Sequence, residues 1–180
     1  LKAINNQLDP HFAFNLLSAI SGFDWKRGDV SGMKSFLHDS VNLFRSQLLK
    51  SNEASVSISF ELTFVQDFVR VQQFRKPDLN LILDIASDID QGLHIPKTLI
   101  YTHVENAFKH GLSKKDGDAV IRVAIEYINN GLKILIEDNG IGRVEARRRK
   151  TVGTGTGMLA LDEIMNLYSE LYRTRIEQEI

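Results

Sequence analysis

Residues 121–142 read IRVAIEYINNGLKILIEDNGIG, and this stretch decides the fold class. Apolar and polar residues alternate in two runs on either side of Asn130-Gly131, and a period of two is typical of half-buried strands. Asn-Gly between two such runs is a strong signal for a hairpin turn. The stretch therefore predicts two antiparallel strands that lead into an Asp-Asn-Gly sequence.

One more strand and one more helix are expected upstream of this hairpin. The alternation over residues 79–85 predicts a strand. A helix is expected from Pro96, which suits a first helical turn, to Gly111, which suits the C′ position just beyond a helix end. These elements predict a single sheet with helices on one face.

The amino-terminal part of the chain predicts helices. Apolar residues recur at near-helical spacing from residue 1 to about 76, with one helix over about 31–50 and a later one that Pro77 ends. The later helix has two apolar faces, which predicts burial on both sides. We therefore expect an α+β fold with a helical region at 1–76 and a second domain at 77–180.

Composition excludes several classes of protein. The 180 residues carry 22 Lys and Arg against 23 Asp and Glu, a balance that argues against a general nucleic-acid or membrane-surface binder. The absence of Cys excludes disulfides, thiolate zinc sites and Cys nucleophiles. No apolar run approaches the roughly 20 residues of a membrane span. Because the chain lacks an initiator Met and begins inside a helical pattern, we interpret it as part of a longer protein.

Asp138 is the first candidate for ligand binding. It has the same strand parity as Ile134 and Ile136, so we expect it to point inward with them. A buried carboxylate needs a partner, and Gly140 and Gly142 allow a flat ligand to approach the backbone. An acid at this place suits the exocyclic amine of adenine. Taken alone, an Asp-Asn-Gly sequence is more often a simple turn at a strand end.

Two further motifs suit phosphate binding. Asn106, Lys109 and His110 are spaced i, i+3 and i+4, so we expect them to share a helix face. An amide oxygen beside cations suits a Mg²⁺–phosphate group, although a solvated polar face is the simpler interpretation. The second motif is a glycine loop that we expect to lead into a helix, and its glycines are Gly153, Gly155 and Gly157. Such a loop suits binding of an anion, although a flexible linker is the simpler interpretation.

Together these motifs resemble the boxes of the GHKL ATP-binding fold, which gyrase, MutL and histidine kinases share. The sequence VENAFKHG at 104–111 resembles the N box, DNGIG at 138–142 the G1 box, and GTGTG at 153–157 the G2 box. The resemblance implies a GHKL (Bergerat) α/β sandwich. It also implies that Asn106 holds Mg²⁺, that Lys109 and His110 meet phosphates, that Asp138 takes adenine, and that the glycines shape the pocket.

The sequence DPHFAFN at 9–15 resembles the Pro-His-Phe-x-Phe-Asn signature of LytS/YehU-type sensor histidine kinases. The resemblance implies that His11 is the phosphoacceptor and that the helical region also mediates dimerisation. Asn15 follows His11 by four residues, so it could orient the imidazole by hydrogen bonding. A Pro-His pair taken alone is more often a surface histidine at a helix start.

The resemblance implies a kinase core that phosphorylates His11 from Mg-ATP and passes the phosphoryl group to an aspartate of a response regulator. It also implies a homodimer, a LytTR-type regulator, no nucleic-acid partner, and the cytoplasmic part of an inner-membrane-anchored bacterial sensor. Two alternatives stay open, namely a GHKL ATPase and a non-catalytic nucleotide-binding dimer module. The ATPase needs a Glu where this chain has Thr102, and departures at Tyr101 and Ala160 keep the non-catalytic module open.

Overall fold

The computed structural model describes residues 30–49, 53–113, 115–129 and 131–142. Helices and strands are mixed, which confirms the predicted α+β class. In chain order the elements are helix α1 (Val30–Leu49), strand β1 (Ser55–Ser57), helix α2 (Ile58–Gln73), strands β2 (Leu79–Ile85) and β3 (His94–Pro96), helix α3 (Leu99–Asn106), a π-helical segment (Ala107–Leu112), and strands β4 (Ala119–Ile128) and β5 (Gly131–Asp138).

Three strands form the sheet that the alternating pattern predicts. Their order is β2-β4-β5, with β2 parallel and β5 antiparallel to β4. Ile128 pairs with Gly131, so the hairpin loop lies one residue earlier than the predicted Asn130-Gly131 turn. Asn129 begins that loop with φ 50°, a left-handed conformation that Asn tolerates better than most residues.

The two faces of this sheet differ in chemistry. On the core face, Ile121, Val123 and Ile125 of β4 are almost completely buried. On the opposite face, the guanidinium of Arg122 donates to Asp84 at 2.5 Å and to Glu137 at 3.0 Å. These hydrogen bonds raise the pKa of Arg122 above its ordinary value. The charged face lies away from the core, so the helices pack on the other side.

A second, small sheet was not predicted. Strand β1 pairs antiparallel with β3, and Val56 lies opposite Ile95. The prediction of a single sheet was therefore wrong. The prediction that Pro96 lies in the first turn of a helix was also wrong, because Pro96 ends β3 and α3 begins at Leu99. A strand end tolerates proline, which cannot donate a ladder hydrogen bond.

Helix α2 is buried on two sides, as its two apolar stripes predict. It contacts α1, α3 and β2. The Phe36 ring of α1 lies 4.5 Å from the ring of Phe74, at the end of α2, and Phe64 of α2 packs edge-on against Tyr101 of α3 at 4.8 Å. One hydrophobic core therefore includes residues from both sides of position 77. The division into regions 1–76 and 77–180 stays a prediction.

None of the helices in the described ranges combines the length and the apolar character that crossing a membrane requires.

Candidate functional site

Two glycines bring the ends of two sequence motifs into contact. A Cβ atom built on Gly140 would stand 2.6 Å from the Cα of Gly111, and one built on Gly111 would stand 2.6 Å from Oδ1 of Asp138. Real Cβ atoms essentially never make contacts under 3.0 Å, so a side chain at Gly140 would collide with the Gly111 backbone, whereas one at Gly111 would displace the Asp138 carboxylate. The N–H of Ile141 also donates to the Gly111 carbonyl oxygen at 3.2 Å. We call the contact of Gly111, Asp138 and Gly140 the glycine junction.

Gly111 has a different role from the one its sequence position predicts. We expect a C′ residue beyond the helix end, but the helical backbone continues to Leu112. The described glycines with positive φ are Gly117 and Gly142, and Gly111 is not among them. The prediction was wrong because the helical segment continues past Gly111, which instead lies close to Asp138, a residue that is distant in sequence.

Asp138 lies at the end of β5 on the core face of the sheet. It pairs with buried Ile121, and residues directly opposite each other in antiparallel strands share a face, so the predicted parity is confirmed. The prediction of a buried carboxylate was wrong, because the paired part of the sheet ends here and Asp138 is exposed. Its Oδ1 accepts the Gly140 N–H at 2.8 Å. Among the described residues, none donates a hydrogen bond to its Oδ2.

The neighbouring Asn139 anchors the turn to β4. Its Oδ1 accepts the Val120 N–H at 2.9 Å, and its Nδ2 donates to the Asp118 carbonyl oxygen at 3.2 Å. Its own N–H donates to the Val120 carbonyl oxygen at 3.2 Å. The side chain of Asn139 thus continues the ladder beyond β5 and fixes where Asp138 and Gly140 lie. Sequence reasoning missed this role.

The helix that carries Asn106, Lys109 and His110 changes its winding within the motif. Helix α3 ends at Asn106, and residues 107–112 are π-helical. The N–H of Ser113, for example, donates to the carbonyl oxygen of Phe108, five residues earlier. The three side chains are all half-buried, but the i, i+3, i+4 argument for a shared face assumes an α-helix and does not apply across this change. Single π-helical turns occur frequently at functional sites.

Lys109 is held by an ion pair within the same segment. Its Nζ lies 2.8 Å from Oε1 of Glu105, and the hydroxyl of Tyr101 donates to the same oxygen at 3.1 Å. The Lys109 side chain is 35% exposed, so the ammonium lies at the surface of the site while Glu105 is mostly covered. Glu105 therefore positions Lys109, a role that the sequence did not indicate.

The start of α3 is held by Glu61 of α2. Its Oε1 accepts the Thr98 N–H at 2.6 Å, and its Oε2 accepts the N–H groups of Ile100 and Tyr101 at 3.1 and 3.2 Å. Glu61 is 1% exposed, and burial raises its pKa above the ordinary value although the three backbone donors oppose this shift. The sequence did not indicate this role of Glu61, because Glu61 lies at least 37 residues from these partners.

Comparison with known proteins shows similarity to sensor histidine kinases. The family model described as "Histidine kinase" matches residues 1–80. Over 98% of this chain and 32% of the relative, the sequence is 29% identical to the sensor histidine kinase YpdA of Escherichia coli. The sensor protein LytS of Staphylococcus haemolyticus is 29% identical over 97% of this chain and 30% of the relative. These matches support a LytS-type sensor histidine kinase. It spans about a third of the length of these curated relatives.

Tyr101 differs from the residue that the resemblance to the N box leads us to expect at this position. The structure shows how its side chain is accommodated. The ring is buried, with Phe64 at 4.8 Å and Phe68 at 5.4 Å, both in edge-on geometry. Its hydroxyl reaches Glu105. Tyr101 therefore contributes both to the contact between α2 and α3 and to the position of the Glu105–Lys109 pair.

Several predicted site residues of this chain lie outside the described residues. These are His11, Asn15, Gly153, Gly155 and Gly157. Within the described ranges, no group of three or more His, Asp or Glu side chains could hold a metal ion by itself. The amide oxygen of Asn106 still fits Mg²⁺ that is bound together with a nucleotide. Mg²⁺ takes few protein ligands and completes its coordination shell with water and phosphate oxygens.

Proposed function

We propose that this chain is the core of a two-component sensor histidine kinase that phosphorylates His11 from Mg-ATP. The observation that carries the proposal is the glycine junction. There Gly111, the end of the motif at 104–111, lies close to Asp138, the acidic residue of the motif at 138–142. A single nucleotide pocket needs both motifs side by side. Similarity to LytS-type sensor histidine kinases supports the same activity.

The junction suits the adenine end of a nucleotide. Oδ2 of Asp138 can accept a hydrogen bond from the exocyclic amine, while Oδ1 is held by the Gly140 N–H. Because neither Gly111 nor Gly140 carries a side chain, the π-helical segment can lie directly against the turn that carries Asp138. Gly142 has φ 74°, a conformation that suits glycine, and it continues the open backbone of this turn.

The π-helical segment and the end of α3 carry side chains that suit the phosphate end of the nucleotide. Lys109 and His110 supply the cationic or hydrogen-bonding groups, and the amide oxygen of Asn106 would hold Mg²⁺. The metal, when bound, neutralises charge on the phosphate oxygens. The glycine loop at Gly153, Gly155 and Gly157 is proposed to complete the anion site with its backbone N–H groups.

The chemical step is an in-line phosphoryl transfer. A neutral imidazole nitrogen of His11 attacks the γ-phosphorus, a nitrogen–phosphorus bond forms, and the bond from that phosphorus to the β,γ-bridging oxygen breaks. The leaving ADP keeps the electron pair, and the other ring nitrogen of the imidazole releases its single N–H proton to solvent. Asn15 is proposed to orient the ring. A carboxylate of a response regulator then attacks the phosphohistidine and takes the phosphoryl group.

The proposal includes the arrangement of the longer protein. Residues 1–76 would form the dimerisation and phosphoacceptor region, and residues 77–180 a GHKL ATP-binding domain. The working unit would be a homodimer that serves a response regulator, which we propose to be of the LytTR type, with a membrane-anchored sensor upstream.

Incubation of the full chain with γ-labelled ATP tests the proposal. We expect an acid-labile, alkali-stable label on the protein that is absent from His11→Gln. The matched control is His38→Gln, because the His38 side chain is 73% exposed on α1 and has no proposed role. Labelling that persists in His11→Gln would overturn the assignment of the phosphoacceptor.

The same assay separates the alternatives. Release of labelled phosphate without a labelled protein would favour a GHKL ATPase, although buried Thr102 stands where that class needs a catalytic Glu. Binding of Mg-ATP without either product would favour a non-catalytic nucleotide module.

A further inference from the structure

Helix α3 begins without a cap of its own. Thr98 occupies the N-cap position with φ 64° and ψ 9°, and within the described part of the chain its side chain makes no capping hydrogen bond. A β-branched residue in the left-handed region is a genuine outlier and persists only where the surrounding structure holds it. The first N–H groups of any helix need partners from outside the helix. At α3, that partner must come from elsewhere in the fold.

Glu61 supplies that partner from a different helix. Its carboxyl group takes the N–H groups of Thr98, Ile100 and Tyr101. The three distances lie between 2.6 and 3.2 Å, and the Thr98 contact at 2.6 Å is slightly shorter than the usual range of N–H···O hydrogen bonds. The contact is dry, since Glu61 and Ile100 are both almost completely buried. An acidic group at a helix start is also favoured by the helix dipole.

The Glu61 carboxyl group also interacts electrostatically with Lys97, but its three hydrogen bonds all come from backbone N–H groups at the start of α3. A buried carboxyl group costs stability unless it is hydrogen-bonded, and an apolar residue would extend the stripe formed by Leu62 and Val65. Strand β1 also pairs with β3, and the Lys97 N–H donates to the Ala54 carbonyl oxygen at 3.0 Å. The start of α3 is thus attached to the start of α2 in two ways, by backbone–backbone hydrogen bonds and by the hydrogen bonds that the Glu61 side chain accepts. Of these two sets, only the Glu61 set reaches into the helix.

The other end of α3 leads directly to the candidate site. The helix has eight residues, so its axis is about 12 Å long at 1.5 Å per residue. Its last residue is Asn106, and the segment that follows carries Lys109 and ends against Asp138 through Gly111. A short, stiff helix transmits a displacement at its start to the residues at its end.

We propose that Glu61 is a positioning residue that fixes the start of α3 on α2 and thereby places Asn106 and Lys109 for nucleotide phosphates. This inference rests on the proposed function, since it assumes that these two residues meet Mg-ATP. It adds a physical link between α2, which follows the proposed phosphoacceptor His11 in the sequence, and the proposed nucleotide pocket. A change in the position of α2 would reach the pocket through Glu61.

Two variants and a matched control test the link in the full chain. Glu61→Gln keeps one acceptor oxygen, Glu61→Ala keeps none, and Glu126→Gln removes an exposed carboxylate that pairs with Lys133 on the outer face of the sheet. The first readout is amide hydrogen exchange at Ile100 and Tyr101. We expect exchange to be roughly tenfold faster in Glu61→Ala, intermediate in Glu61→Gln and unchanged in Glu126→Gln.

The second readout is the calorimetric Kd for Mg-ATP, measured at a temperature where circular dichroism shows every variant fully folded. We expect the Kd to rise roughly tenfold in Glu61→Ala, with partial rescue in Glu61→Gln. A residue that only stabilises the fold would leave this Kd unchanged, because the folded fraction is the same. An unchanged Kd alongside faster exchange would overturn the positioning role, and unchanged exchange would overturn the attachment itself.

The two proposals fail in different ways. If the wild-type chain does not bind Mg-ATP, the proposed function fails, and the exchange rates at Ile100 and Tyr101 still decide whether Glu61 holds α3. If the wild type binds Mg-ATP and the Glu61 variants bind it equally well, only the positioning role is lost.

Discussion

Gly140 lies so close to Gly111 that a Cβ on Gly140 would stand 2.6 Å from the Gly111 Cα and 2.5 Å from Oδ1 of Asp138. This contact joins the end of the π-helical segment to the turn after β5. Each of the two motifs taken alone has an ordinary structural explanation. Their contact in the fold is what favours a shared nucleotide pocket.

Replacing Gly140 by Ala should destabilise the protein. The new Cβ would meet the backbone of Gly111, which cannot move without distorting the π-helical segment. We expect a loss of about 1–3 kcal/mol in the free energy of unfolding, as for other overpacked sites, measured by urea denaturation. Gly131→Ala is the control, since its nearest atom would be the Ile128 carbonyl oxygen at an ordinary 3.7 Å. Equal stability of the Gly140 and Gly131 variants would contradict the junction.

Replacing Gly111 by Ala should affect binding more than stability. Its Cβ would meet Oδ1 of Asp138 at 2.6 Å, and a side-chain oxygen can move aside more easily than a backbone. The displaced carboxylate would no longer be aligned for adenine, so we expect weaker Mg-ATP binding by calorimetry with a small change in urea stability. Unaltered affinity for Mg-ATP would show that the position of Asp138 is irrelevant to the ligand.

Asp138→Asn should lose the preference for adenine over guanine nucleotides. The carboxylate has only acceptor oxygens, whereas an amide presents a donor as well. Hydrogen bonds to charged groups contribute about 1.5–3 kcal/mol, so the Kd for ATP should rise roughly tenfold to a hundredfold. Glu137→Gln is the matched control, because Glu137 is exposed on the opposite face and pairs with Arg122. Equal wild-type affinities for ATP and GTP would refute the role of Asp138.

Lys109→Gln should weaken binding of Mg-ATP and leave adenosine unaffected. The ammonium lies 2.8 Å from Glu105 at the surface of the site, where it can meet phosphates but not the base. Lys133→Gln removes an equivalent cation from the outer face, where Lys133 pairs with Glu126 at 2.9 Å, and should change neither affinity. Calorimetric titrations with both ligands provide the measurement. A parallel loss of Mg-ATP and adenosine binding would indicate a general structural effect instead.

Glu61 predicts a pH dependence of stability. Burial raises its pKa above the ordinary 4.5, so just above pH 4.5 the folded chain holds a proton that the unfolded chain has released. Its contribution to the free energy of unfolding is therefore fully present below pH 4.5 and is lost as the pH rises through the folded-state pKa.

Urea denaturation of the wild type and Glu61→Gln between about pH 4 and pH 8 measures this dependence. The amide does not titrate, so the stability of the wild type relative to the variant should fall as the pH rises. A difference that stays constant over this range would contradict the raised pKa.

The spacing of apolar residues predicted the helices and strands that keep the same face toward the core along their whole length. Strand β2 and the β4–β5 hairpin each have one buried and one exposed face, and a period of two records that environment directly. The second stripe of α2 likewise predicted burial on two sides. The position of Asp138 on the core face followed from parity alone.

Long-range contacts explain what the sequence could not predict. The three-residue strands β1 and β3 are too short for a periodic signal, and their pairing depends on the fold. The π-helical winding after Asn106, the close approach of Gly111 to Asp138 and the attachment of α3 by Glu61 each depend on residues that are distant in sequence. Local patterns therefore identified the residues of the candidate site but not what holds them in place.

Amide chemical shifts of the full chain during titration with a non-hydrolysable Mg-ATP analogue test the central claim most directly. We predict saturable shifts centred on Gly111, Gly140 and Lys109, with no change at Arg122 on the outer face of the sheet. Shifts confined to other parts of the chain, or no shifts at millimolar analogue, would contradict a nucleotide pocket at the glycine junction.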